Sequence, residues 1–338
     1  MVLQLKLVVN AANVHQGGGR TLLLALLQAT ELPTVVIVDA RLKLPDHLPD
    51  NVQVMAVTPS IRARYEAERR LAKLCEAEDI LLCFGNLPPL FSNRARVFVY
   101  LQNLYLMSHK PLSGLTFHEH IRILVERVWL RLCLRDATLL VQTPSVAAEV
   151  QTSLGRTPVI APFSPTEAMP MPVSEKEYDF LYVASGEAHK NHRLLVEAWE
   201  LLADQGHFPS LRLTLDAERE VELLAWIARR VQSRSLRIEN GSVALVDMPD
   251  TYARSRRLIF PSLFESFGLP LVEAQRAGLS LVTAERDYVR DVAVPDETFD
   301  PSSALSIARA VKRSMQLGGD NQIVPPASAF LARLLAMS

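Results

Sequence analysis

Short runs rich in Val, Ile and Leu alternate along the chain with amphipathic stretches, and the alternation predicts a doubly wound α/β architecture. In the first half, runs at 3–10, 34–39, 52–57, 80–84, 97–101 and 137–142 have the continuous apolar character of parallel strands buried on both faces. Helical periodicity falls between them at 21–28, 61–78, 120–135 and 144–152, with none between 35 and 52, where Pro45 and Pro49 occur. In the second half, strands are expected at 179–184, 211–215, 258–260 and 279–283, with helices at 194–203, 218–231, 249–255, 270–277 and 302–315. Pro162, Pro165, Pro170 and Pro172 lie between the halves. Rings that cannot donate a hydrogen bond or continue a helix mark a linker. The expected organisation is a first domain over 1–161, a linker over 162–177, a second domain over 178–325 and a tail over 326–338 that crosses back.

Composition changes this picture little. A chain of 338 residues, 49% apolar and 22% charged, is ordinary globular protein with room for two domains. Net charge is −1, but residues 1–165 carry 17 Lys and Arg against 13 Asp and Glu, whereas residues 166–338 carry 19 against 24. That asymmetry is too mild for a nucleic-acid partner, yet it leaves open an approach of the first half to an anionic membrane surface. Cys75, Cys83 and Cys133 sit in apolar surroundings without metal-ligand spacing and read as free thiols of a reducing compartment. No basic leader and no uncharged span of bilayer length is present, so the expectation is a cytoplasmic protein, with peripheral attachment to the inner membrane face as the open alternative.

The candidate chemistry gathers in residues 258–283, LIFPSLFESFGLPLVEAQRAGLSLVT. A buried strand ends at Pro261-Ser262, a loop carries Glu265 and ends at Gly268, and Pro270 takes the first position of a helix that Gly278 stops. Open α/β sheets bind ligands at such strand–loop–helix junctions. The unpaired N–H groups of the first helical turn and the backbone at Phe267, Gly268 and Leu269 suit an anion. Glu265 in the loop and Glu273 in the first turn are two carboxylates for the hydroxyls of a ligand with two sugar rings. The plainer alternative is a dipole-complementing Glu273 and a solvated Glu265.

The run Glu265-Ser266-Phe267-Gly268-Leu269-Pro270-Leu271-Val272-Glu273, preceded by Phe260-Pro261-Ser262, closely resembles the Glu-x7-Glu signature of retaining glycosyltransferases of family 4. The resemblance implies the GT-B fold, in which two Rossmann-like domains face each other across a cleft. It implies that Glu273 holds the ribose of a nucleotide-sugar, that Glu265 contacts the donor sugar, and that Ser266, Phe267, Gly268 and Leu269 meet hydroxyls and phosphate. In the same family a lysine after the first strand of the second domain binds phosphate. Lys190 takes that place here, close to a helix start, where a cation is unfavourable unless an anion lies between. The arginine that precedes this lysine in the family is replaced by Ala184-Ser185-Gly186, leaving His189 or Arg193 as substitutes.

The first half follows the family more loosely. Gly17, Gly18 and Gly19, in a loop between the first strand and first helix, lack the GxGxxG spacing but match a glycine-rich loop that the family turns toward the donor phosphate. The plainer alternative is a flexible turn. After the 97–101 strand the family often carries a histidine beside the reacting sugar. Here the residues are Gln102 and Asn103, so acceptor-side hydrogen bonds are expected from these amides or from His109, His118 or His120. The charges of 120–135, Arg122, Glu126, Arg127, Arg131 and Arg135, predict one solvated stripe on a helix otherwise buried against the sheet. The alternative is a membrane-surface contact with Arg and Trp129 at the headgroups.

The resemblance implies a retaining transferase, and because no Asp-x-Asp is present to hold a divalent ion, the expectation is a metal-independent enzyme with no cofactor. It would move a hexose-type sugar from a nucleotide-sugar to a glycan or lipid-linked acceptor in surface polysaccharide assembly. A catalytically silent relative that binds a nucleotide-sugar or partner protein is the alternative.

Overall fold

The computed structural model describes residues 5–107, 117–164, 175–243 and 247–316. Its first half runs β1 (Leu7–Ala11), α1 (Gly17–Ala29), β2 (Thr34–Asp39), β3 (Val52–Val57), α2 (Ile61–Leu74), β4 (Ile80–Cys83) and β5 (Arg96–Tyr100). It continues through α3 (Leu104–Met107), α4 (Phe117–Cys133), β6 (Thr138–Val141), α5 (Pro144–Leu154) and β7 (Val159–Ile160). The second half has β8 (Tyr178–Tyr182), a 3-10 turn (Ala188–Lys190), α6 (His192–Asp204), β9 (Leu211–Leu213), α7 (Val221–Arg234) and β10 (Ile238–Asn240). It closes with α8 (Met248–Ala253), β11 (Ser255–Phe260), α9 (Leu269–Arg276), β12 (Ser280–Ala284), α10 (Asp287–Arg290), β13 (Glu297–Phe299) and α11 (Ala304–Ser314).

The strands form two parallel sheets, one of seven strands in the order β3-β2-β1-β4-β5-β6-β7 and one of six in the order β10-β9-β8-β11-β12-β13. Each order reverses beside its first strand, at β1/β4 and at β8/β11. Ligand crevices open at such switch points, outside the C-terminal ends of the strands. The loop after β1 leads to Gly17, the loop after β8 to Lys190, and the loop after β11 to Glu265. The fold is the expected pair of Rossmann-like units.

Alternation along the strands sends side chains to opposite faces. Val9, Val36 and Val38 pack with Leu22, Leu23 and Leu27 of α1 on one face of the first sheet. Val8, Ile37 and Leu81 pack on the other with α2, α4 and α5 through Leu71, Ile123, Leu130 and Val146. Phe180, Trp199, Leu258 and Ile259 belong to a single core around the second sheet.

Two expectations are corrected. The glycines are not a loop: α1 begins at Gly17, because its left-handed φ of +64° turns the chain directly into the helix. Residues 159 and 160 close the expected first domain as an edge strand on β6, and Phe163, just beyond, packs near the rings of Phe84 and Tyr100. The greater part of the expected linker and the tail expected to cross back lie outside the described residues. The second concerns α4. Only Ile123 and Leu130 are buried in it, while Phe117 is 74% and Leu132 76% exposed. The helix is not largely buried, because it meets the rest of the domain along one narrow face. Its charges do not form one stripe either, since Arg127 turns inward and donates to the Tyr105 carbonyl at 2.8 Å.

Candidate active site

The junction after β11 is built from its backbone outward. Pro261 and Ser262 are buried, and Tyr288 donates its hydroxyl to the Ser262 carbonyl at 2.8 Å. Gly268 has φ +78°, and a Cβ there would approach Leu271 Cδ1 to 3.0 Å. Glycine is what allows the chain to enter α9 from a left-handed residue. The helix starts one residue earlier than expected, at Leu269, so Pro270 takes its second position and Glu273 lies beyond the first turn. Gly278, with φ +71°, closes it: Leu279 N–H donates to Ala274 O and Gly278 N–H to Gln275 O, both at 3.0 Å. This is the double bond pattern that satisfies a helix C-terminus.

Lys190 and Glu265 meet here. Lys190 Nζ lies 2.6 Å from Glu265 Oε1, with the two side chains only 16% and 12% exposed. Backbone bonds tie their loops together: Leu263 N–H donates to the His189 carbonyl at 2.8 Å, and the Tyr182 hydroxyl to the Lys190 carbonyl at 2.6 Å. Asn191 takes the left-handed φ of +64° between Lys190 and α6, and its amide donates to the Pro301 carbonyl at 2.7 Å. His192 follows, 3% exposed against the Tyr182 ring, and both of its ring nitrogens are without hydrogen-bond partners. Burial, with Lys190 nearby, pushes its pKa down to about 3.

Glu273 has a different setting. Tyr252 donates its hydroxyl to Glu273 Oε2 at 2.7 Å. Burial raises the carboxyl pKa, and the tyrosine bond and Arg276 offset that only in part. Ser266 turns its carbonyl toward the Thr143 hydroxyl at the start of α5, 3.5 Å away. Phe267 and Leu269 are buried side chains, so these two positions offer a ligand their backbone.

The facing side supplies the glycine turn. A Cβ on Gly19 would stand 3.3 Å from Gln102 Oε1, so Gln102 borders the start of α1 directly. Its amide donates to the Phe84 carbonyl at 3.0 Å, while Gly17 and Gly18 have open space at their Cα atoms. Asn103 accepts from Tyr105 N–H at 3.0 Å and is held to Asn86 through its own N–H at 2.8 Å. His118 is not brought into this group; its exposed ring meets Phe117 on α4. His109 lies outside the described residues.

Each expected stand-in for the family arginine has an aromatic neighbour. Arg193 lies over the Trp226 ring, 4.9 Å from its centre, and His189 stacks on Phe264 at 4.5 Å. Where that cation is expected, the structure places an acid: Gly186 N–H donates to Glu220 Oε1 at 3.2 Å.

Several cleft residues escaped the sequence. Tyr105 of the first half packs edge-on to both His189 and Phe264 of the second. Arg219 bonds to Gln16 across the cleft, and Asp291 accepts Ser145 N–H in the first turn of α5 at 2.9 Å. Only the location of Asp291, in the segment after the motif, gave any signal. The tyrosines are isolated residues whose roles depend on partners distant in sequence.

Comparison with known proteins agrees with this geometry. Residues 166–322 match the family described as glycosyl transferases, group 1. O-antigen chain mannosyltransferase B of Escherichia coli is 29% identical over 179 residues, which is 49% of this chain but only 45% of that relative's length. Thus the chain spans less than half of it. Among solved structures, Anabaena HepE in complex with UDP-glucose superposes with a TM-score of 0.70 at 14% identity, over 92% of this chain and 90% of that one. WaaG, a glycosyltransferase involved in lipopolysaccharide biosynthesis, gives 0.64 at 15% identity, over 92% and 91%. These likenesses establish the GT-B fold.

Proposed function

We propose that the protein is a retaining glycosyltransferase that moves a hexose, with mannose the first candidate, from a nucleoside-diphosphate sugar to a glycan or lipid-linked acceptor in surface polysaccharide assembly. The observation that carries this is the Lys190–Glu265 pair at 2.6 Å, held at the switch point of the second sheet. The group 1 family match, the mannosyltransferase relative and a neighbour of the same fold in complex with UDP-glucose support it.

In this proposal, Glu273 and the first turn of α9 receive the nucleotide and Glu265 the sugar. The acceptor hydroxyl oxygen bonds to the anomeric carbon as the bond from that carbon to the phosphate oxygen breaks. The hydroxyl proton passes to the departing phosphate oxygen on the same face. Lys190 and the N–H groups at the start of α9 meet the charge that develops on the diphosphate. Double displacement would need a carboxylate nucleophile behind the sugar, and no residue is assigned that role. No metal ion is required, so activity should survive EDTA. Nucleotide-sugar supply places the reaction in the cytoplasm.

Glu220 at Gly186 favours one second reading, a silent relative that binds nucleotide-sugar without turning it over. Incubation with a panel of nucleoside-diphosphate hexoses, followed by NMR, separates the two. Release of nucleotide with an α-configured product from an α-configured donor supports transfer. Donor binding without hydrolysis or transfer leaves the binding module, and no donor binding overturns both.

A further inference from the structure

Two hydrogen bonds fix the backbone of Tyr105 to the first domain. Asn103 Oδ1 accepts its N–H at 3.0 Å, and Arg127 Nε donates to its carbonyl at 2.8 Å. Its neighbours Leu104 and Leu106 are buried. The ring meets the second domain. Its centroid lies 6.0 Å from that of His189 and 5.4 Å from that of Phe264, with interplanar angles of 82° and 87°. Aromatic pairs favour this edge-on arrangement, which sets the positive rim of one ring against the negative face of the other. The hydroxyl is 3.5 Å from His189 Nδ1, at the outer limit of a hydrogen bond, so the ring carries most of the contact.

The two rings that Tyr105 meets belong to the loops that carry the ion pair. His189 and Phe264 stack at 4.5 Å with 14° between their planes. Lys190 follows the first of them and Glu265 the second. Leu263 N–H donates to the His189 carbonyl at 2.8 Å, so rings and backbones join the loops at one place. Phe264, a residue of the second domain, also packs against the core of the first, as Tyr105 does. A shift of this stack moves the next peptide on each loop, and with it the 2.6 Å separation of Nζ from Oε1. Catalytic groups displaced by about 1 Å lose on the order of 100-fold in rate.

We infer that Tyr105 is a positioning residue for the Lys190–Glu265 pair: supplied by the facing domain, it braces the His189–Phe264 stack and so holds the two loops in register. The inference deepens the transfer proposal and rests on it for the kinetic consequence, not for the bracing itself. The ring does the bracing, so phenylalanine serves in place of tyrosine.

Amide hydrogen exchange of the full chain, read beside steady-state kinetics, tests it. In Tyr105→Ala, exchange of the Leu263 N–H quickens about tenfold or more. The Leu211 N–H, bonded to the Arg237 carbonyl at 2.8 Å elsewhere in the second domain, exchanges as in wild type. Turnover falls about 10- to 100-fold, while affinity for the bare nucleotide changes about threefold at most. Tyr105→Phe keeps both readings within about threefold of wild type. Tyr105→Leu keeps an apolar side chain in the core, behaves as the alanine variant and serves in its place should alanine unfold the chain. Unchanged Leu263 exchange in the alanine and leucine variants overturns the inference, as does faster exchange with undiminished turnover. Equal quickening at Leu211 overturns it as well, because it marks general loosening. An equal loss in Tyr105→Phe overturns it in favour of a hydroxyl that acts itself. Exchange needs no donor, so it decides the bracing even if wild type transfers nothing.

Discussion

Lys190 and Glu265, 75 residues apart in sequence, form a direct ion pair of 2.6 Å between two loops of the second domain. The lysine therefore neutralises this acid directly. A diphosphate arriving at Lys190 must compete with that carboxylate, and a sugar arriving at Glu265 must compete with the ammonium. Donor binding exchanges one set of charged hydrogen bonds for another. A half-buried pair opened in this way exposes both groups to the ligand together.

The two residues should accordingly act as one unit. Lys190→Ala is expected to lower turnover about 100-fold or more. Glu265→Ala should lower turnover more than it lowers affinity for the bare nucleotide. The double variant should lose less than the sum of the two losses, by roughly 0.5–3 kcal/mol. Steady-state kinetics on the three variants measures the coupling, and additive losses would show that the pair is incidental.

Glu273 presents only part of its carboxylate to a ligand, because Tyr252 occupies Oε2 at 2.7 Å. Glu273→Gln should weaken nucleotide binding by about 1–3 kcal/mol and leave the fold intact. Tyr252→Phe removes the bond that orients the acid and should produce a smaller loss, about tenfold at most. Titration calorimetry with the bare nucleotide checks both. Unchanged affinity in Glu273→Gln would remove this residue from the site.

Asp291 reaches across the cleft to the first turn of α5, where it accepts Ser145 N–H at 2.9 Å. An acid at a helix N-terminus is favourable, so the contact favours the observed closure. Asp291→Ala should cost about 1 kcal/mol of the closed arrangement. Small-angle scattering is expected to show a larger mean radius for the variant, with the melting of each domain nearly unchanged. Identical scattering curves would mean that other contacts hold the closure.

His192 predicts a pH dependence. Its folded pKa is pushed down to about 3, below the ordinary value of 6.5, because burial disfavours the charged ring. Between those values the unfolded chain binds the extra proton, so stability falls as pH falls. The contribution is fully present above about pH 6.5 and is lost progressively toward pH 3, reaching on the order of 5 kcal/mol. His192→Phe keeps a ring against Tyr182 and removes the proton site. Denaturant melts at several pH values should show wild type losing stability relative to the variant across that window. Parallel curves would show that the buried imidazole is not the group that titrates.

The sequence by itself determined the parallel α/β class, the bounds of β2 and β3, and the strand–loop–helix unit carrying Glu265, Gly268 and Glu273. Those features are local. Apolar runs bury themselves as strands wherever they land in a parallel sheet, and Gly268 and Gly278 impose their turns through their own backbone freedom. Lys190 was also legible as a cation placed badly for a helix start. Its salt bridge to Glu265 was not, nor was the Tyr252 bond to Glu273, because the order β8-β11-β12 brings these segments together and no local period encodes strand order. The surface of α4 was misjudged for a related reason. Periodicity reports how many faces of a helix are apolar, but only its neighbours decide which of them is covered, and in α4 the packed face is the one with Ile123 and Leu130. The apolar positions opposite, Phe117, Leu124, Val128 and Leu132, are exposed.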